Sequence, residues 1–172
     1  MAKLIRHDAV VEDDWIVLDA GSAIDDVHPG VRSIVPLALW TTARESLLAR
    51  GDVGVWLGPT DEPGVLAADV AELPLIAVAF PSFGDGRGFS TARLLRQRYG
   101  FRGELRAIGD VFRDQLFFMR ECGFDAFSVR ADLDPEKEIV GLQVFDRVYT
   151  HSVRTPRPWF RDREGVTSGT SS

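Results

Sequence analysis

Residues 75–90 read Leu-Ile-Ala-Val-Ala-Phe-Pro-Ser-Phe-Gly-Asp-Gly-Arg-Gly-Phe-Ser. The unbroken apolar run Leu75 to Phe80 is short for a helix and lacks the alternation of a half-exposed strand. Such runs mark parallel strands buried on both faces. The proline and glycines that follow stop it. Beyond them Ala92, Leu95 and Tyr99 recur at helical spacing, with Ser90 placed to cap the helix. Strand, glycine turn and amphipathic helix together make one βα unit.

The same rhythm extends in both directions. Upstream, Ile34 to Leu37 is a short apolar run, and Leu39 to Arg50 predicts a helix closed by Gly51. Val53 to Leu57 predicts a strand stopped by Gly58-Pro59, and Val65 to Leu73 a helix. Downstream, Glu104 to Ile108 predicts a strand, and Asp110 an N-cap for a helix Val111 to Cys122 ended by Gly123. In that helix two adjoining stripes, Phe112-Leu116-Met119 and Val111-Phe118-Cys122, predict deep packing. Asp125 to Val129 predicts another strand, and Asp134-Pro135 opens a last helix.

About five such units predict an α/β fold with a parallel sheet, open and flavodoxin-like. The alternative is a partial TIM-barrel-like sheet, since a full barrel needs roughly 200 residues or more. Residues 1–150 are read as one domain, its first 30 residues a loosely assigned antiparallel addition containing Trp15 and Leu18. Residues 151–172 have the composition of a disordered tail.

With 45% hydrophobic and 27% charged residues in 172, the chain is neither disordered nor membranous in composition. A net charge of -6 argues against a general nucleic-acid binder. Between Arg87 and Arg113, however, seven arginines stand against Glu104 and Asp110, an excess suited to a small anion. The single cysteine, Cys122, rules out an intrachain disulfide or a cysteine-held cluster made by this chain alone, and is read as a core thiol. His7, His28 and His151 are scattered, so no metal site is expected. The four tryptophans are read as core or tail residues. No signal-peptide pattern and no membrane-length apolar stretch is found, which predicts a cytoplasmic protein with no membrane partner.

Ligands of parallel sheets bind beyond the carboxyl ends of the strands. Three expected strand ends lead to the glycine turn, to Gly109-Asp110 and to Arg130-Ala131-Asp132. Gly84, Gly86 and Gly88 would free the turn to adopt positive φ, and Arg87 would offer a fork to an oxyanion beside a helix N-terminus. Arg113, at the third position of its helix, would oppose the dipole unless paired with Asp110, Asp114 or an anion. Anion-binding candidates are therefore Gly84, Gly86, Arg87, Gly88, Ser90 and Arg113, with Asp85 and Asp110 as candidate acid or base. Two plainer readings stand beside these: a purely structural turn, and Asp110 as a simple cap. The spacing fits neither the P-loop nor the dinucleotide fingerprint.

The run FPSFGDGRGFSTARLLRQRYGFRGELRAIGDVFRDQLFFMRECGFDAF, Phe80 to Phe127, resembles a bacterial family of unknown function that is described as an oxidoreductase of sulfite reduction. Its marks are DGRG at Asp85 to Gly88 followed by Phe89-Ser90, RDQLFF at Arg113 to Phe118, and CGFDAF at Cys122 to Phe127. A weaker likeness runs from Val53 to about Tyr149. Ala79 and Ser82 stand where an acidic residue and a lysine are common in that family. The resemblance implies a role in assimilatory sulfite reduction, with sulfite reductase or another sulfur-assimilation protein as partner. It names no cofactor. Sulfite reduction normally uses siroheme and an iron–sulfur cluster, which one cysteine cannot hold. The implied role is therefore accessory, and the alternative is a small enzyme, an oxidoreductase by the family's description, acting on an anionic metabolite.

Overall fold

The computed structural model describes residues 2–82 and 84–143. The chain opens with a hairpin, β1 (Ala2–Arg6) and β2 (Ala9–Asp13), followed by β3 (Trp15–Val17) and β4 (Arg32–Pro36). Helix α1 (Leu37–Leu48) leads to β5 (Val53–Leu57) and β6 (Leu75–Phe80). Then come α2 (Arg87–Arg93), β7 (Glu104–Gly109), α3 (Arg113–Cys122), β8 (Ala126–Phe127) and α4 (Pro135–Glu138). Helix α2 runs on as a π-helical turn, Leu94–Arg98, in which the Tyr99 amide donates to Leu94 O at 3.0 Å.

Among the described residues these strands form one mixed sheet of eight, ordered β2-β1-β8-β7-β6-β5-β4-β3. From β3 to β8 all neighbours are parallel and sequential; β1 runs antiparallel to β2 and β8. A flavodoxin-like sheet needs the strand order to reverse, so that helices cover both faces. Here the order never reverses, and right-handed crossovers put the helices on one side. One core cluster accordingly joins Trp40 and Leu47 of α1, Ala92 of α2, and Leu116 and Met119 of α3 to Val55, Ile76, Val78 and Leu105 of the sheet. The other face carries a smaller cluster of Ile34, Leu75, Ala77 and Ile108, flanked by Trp15 and Trp56.

The sheet curls into a half-barrel, and the connection at Asp14 explains why. β2 and β3 are its opposite edges, yet only one residue separates them in sequence. Laid flat, eight strands would hold those edges about 34 Å apart. Asp13 to Trp15 spans at most about 7 Å. The edges must therefore approach each other, which brings the sheet nearer the partial barrel than the open sheet.

Four local expectations need correction. Val65 to Leu73 is not a helix but a 3-10 turn, Pro63–Leu66, followed by further turns. That irregular path carries Asp69 inward, where its buried carboxylate accepts from Trp40 Nε1 at 2.9 Å and Arg44 Nε at 2.8 Å. Helix α2 begins at Arg87, so Ser90 lies inside it and caps nothing. Helix α3 begins at Arg113 with Phe112 as N-cap, so Asp110 is not its cap. Phe118 is 46% exposed rather than core. Asp134 does cap α4, accepting from the Glu136 amide at 3.1 Å with Pro135 at the first helical position. The expected tail, 151–172, and His151 lie outside the described residues.

Candidate functional site

The carboxyl ends of β6, β7 and β8 place the glycine turn, Gly109-Asp110 and the Ser128–Asp132 loop along one rim. Phe80 organises it. Its carbonyl accepts from the Asp110 amide at 2.7 Å, and its ring stands 5.2 Å from Phe89 and 5.8 Å from Phe124. A Cβ on Gly88 would meet the Phe80 ring at 2.5 Å, so that glycine is demanded by close approach. None of Gly84, Gly86 and Gly88 uses positive φ; Gly109 does, at 96°. The conformational freedom assigned to the turn is therefore needed at the next strand end instead, where a Cβ would also run into Phe80 O.

Arg87 and Arg113 each occupy the first position of their helix, α2 and α3. Each of these backbone amides is taken by a carboxylate from the chain itself. Asp85 Oδ1 accepts from the Arg87 amide at 3.1 Å, and Glu138 Oε2 from the Arg113 amide at 2.5 Å. Asp85 also closes the Arg87 fork, accepting from Nε at 2.9 Å and Nη2 at 2.6 Å. The Arg87 side chain, and then its amide, hold the Asp85 carboxyl below its ordinary range. Arg130 repeats the pattern, donating to both oxygens of Asp132 and to Asp110 Oδ1 at 3.2 Å. The Arg113 side chain is exposed, with Asp114 4.0 Å away.

The rim thus carries matched charges. An oxyanion at the turn would have to displace Asp85 from Arg87. Ser90 is exposed and has no side-chain hydrogen bond among the described residues. Asp85 and Asp110 are each engaged by a different arginine, so the rim holds two ion pairs. No group of three His, Cys, Asp or Glu able to hold a metal occurs among the described residues. Nor is any described helix long and apolar enough to cross a membrane.

The arginine-rich segment divides by role. Arg106 is fully buried and paired with Asp13 and Glu104. Arg96 ties Phe101 O, Gly103 O, Gly123 O and Asp125 together at 2.9 Å. Arg98 and Arg102 are exposed and have no ion pair among the described residues. Arg93, the last residue of α2, reaches toward α3, its guanidinium 6.0 Å from the centre of the Phe118 ring. Phe118 also meets Phe89 edge-on at 5.0 Å. Beside Arg93, Cys122 is completely buried, and burial pushes its thiol up against the opposing pull of Arg93.

The sequence reading missed this outer face because Phe118 repeats at the spacing of a core stripe. The available signal was Asp114, one turn earlier on the same face and fully polar. Among curated proteins, none matches this chain. The family described as "Bacterial protein of unknown function (DUF934)" matches residues 54–160, from β5 onward. The chain belongs to that family.

Proposed function

We propose that the protein is an accessory component of a sulfite-reducing system that receives an acidic partner protein on the shared face of α2 and α3. The observation that carries this reading is Phe118, an aromatic ring left 46% exposed beneath the Arg93 guanidinium. Aromatic and arginine side chains dominate the energetics of protein interfaces. Leu94, 37% exposed, adds apolar area, and Arg98 and Arg102, further along the same segment, are exposed and have no ion pair among the described residues. The complementary surface is acidic with an apolar cleft. The sulfur pathway rests on the family resemblance carried by DGRG, RDQLFF and CGFDAF.

An accessory role also suits the rim. Its arginines at Arg87 and Arg130 are neutralised internally, whereas Arg93 on the α2–α3 face has no ion pair among the described residues. A pull-down with purified sulfite reductase tests the proposal, together with growth of a deletion strain on sulfate. Retention that weakens with salt and with Phe118→Ser is expected. Absence of both association and a sulfur phenotype would overturn it.

A further inference from the structure

We propose a second site at the opposite end of the sheet, built to take a small zwitterion of the amino-acid class. The loop Gly123–Asp125 enters β8, and the His7-Asp8 turn leaves its antiparallel neighbour β1, so both lie at the amino ends of the parallel strands. Between them is a cavity of about 410 Å³ lined by His7, Asp8, Arg96, Arg120, Phe124 and Asp125. That volume falls within the usual range for small-molecule pockets.

The cavity wall is polar on both sides and only partly committed. Arg96 is a fixed element, since its donors already hold three backbone carbonyls and Asp125. Arg120 is not. It gives Nη1 to Asp8 Oδ1 at 2.9 Å and Nη2 to Leu142 O at 2.8 Å, while its buried Nε has no partner among the described residues. A guanidinium has five N–H donors, so among the described residues each Nη keeps one hydrogen unspent. Asp8 keeps an oxygen with no partner among the described residues, and Asp125 accepts from the Leu105 amide at 2.9 Å as well as from Arg96. Burial raises the Asp125 carboxyl despite those partners.

The hairpin turn points the same way. His7 and Asp8 have φ of 49° and 65°, the positive values a two-residue hairpin loop requires. Aspartate and histidine tolerate that geometry. The turn places an imidazole and a carboxylate that both line the cavity, and the imidazole has no hydrogen bond among the described residues. A simple anion entering would meet Asp8 and Asp125; a simple cation would meet Arg96 and Arg120. A molecule bearing both signs satisfies the wall, with its carboxylate toward Arg120 and His7 and its ammonium toward the aspartates.

NMR titration of the full chain with each common amino acid tests this, followed by the deaminated and decarboxylated analogues of the tightest. Saturable binding by at least one amino acid is expected, with each analogue about tenfold weaker. His7→Asn, which keeps a turn-compatible residue, and Arg120→Gln should each weaken binding about tenfold. If Arg120→Gln does not fold, His7→Asn carries the test. Phe118→Ser should leave binding unchanged, which separates this site from the docking face. No saturable binding up to about 10 mM, equal binding of the analogues, or an unaffected His7→Asn protein would each overturn the proposal.

Discussion

Arg106 Nη1, in the middle of β7, donates to both oxygens of Asp13 at 2.9 Å, although 93 residues separate the two in sequence. Asp13 is the last residue of edge strand β2, and its Oδ1 also accepts from the amide of Trp15, the first residue of the opposite edge. A buried ion pair thus sits where the curled sheet brings its edges together. Asp13→Asn should lower stability by about 1–3 kcal/mol, because the buried guanidinium keeps Glu104 but loses its second carboxylate. The urea midpoint would measure this, and the double variant Asp13→Leu/Arg106→Met should recover part of the loss. A single variant as stable as the parent would contradict the assignment.

Gly109 pairs with Phe80 across β6 and β7 and sits at φ 96°. Gly109→Ala should cost at least about 2 kcal/mol, combining backbone strain with the clash at Phe80 O. Gly21, whose added Cβ would meet nothing within 4 Å, provides the control. Gly21→Ala should stay within about 0.5 kcal/mol. Similar losses at the two positions would contradict the argument from close approach.

Asp69 governs part of the acid response. Hydrogen bonding from Arg44 holds its carboxyl below the ordinary range, with burial opposing and Trp40 assisting. A carboxyl with a depressed folded-state pKa contributes stability above its unfolded value of about 3.9. That contribution disappears as pH falls through the folded-state pKa. Asp69→Asn should therefore have a flatter dependence of urea midpoint on pH between about 5 and 2 than the parent. Equal slopes would contradict the assignment.

Asp85 occupies the Arg87 fork that an oxyanion would need. Asp85→Asn removes the competing charge and should make the protein bind sulfate. A sulfate-dependent rise in the urea midpoint is expected in the variant, beyond a chloride control of equal ionic strength. The parent should show much less. An equal rise in both proteins would mean that Asp85 does not guard the turn.

Much of the local structure was legible because it depends on short-range pattern. Val53–Leu57 is the strand expected from its apolar run, as is Leu75–Phe80, since both are nearly all buried. Strand order was not legible. An apolar run shows that a strand is covered, but not whether the next crossover goes forward or back. The start of α3 was displaced because the partner of its first amide is not the nearest polar residue. Glu138, 25 residues away, accepts from Arg113, while Asp110 serves Arg130. At the rim, residue types suggested a vacant fork at Arg87, whereas the folded turn supplies its own carboxylate from Asp85. The exposed setting of Phe118 depends on how α2 and α3 pack, which a periodic pattern along one helix does not contain.

Phe118 therefore provides the most direct test of the accessory role. Purified protein should be titrated against purified sulfite reductase by calorimetry, at low and at physiological salt, with Phe118→Ser in parallel. Saturable binding that weakens as salt rises, and weakens a further tenfold or about 1.4 kcal/mol on loss of the ring, is the expected result. Binding indifferent to both salt and Phe118, or no binding at either salt concentration, would contradict the account.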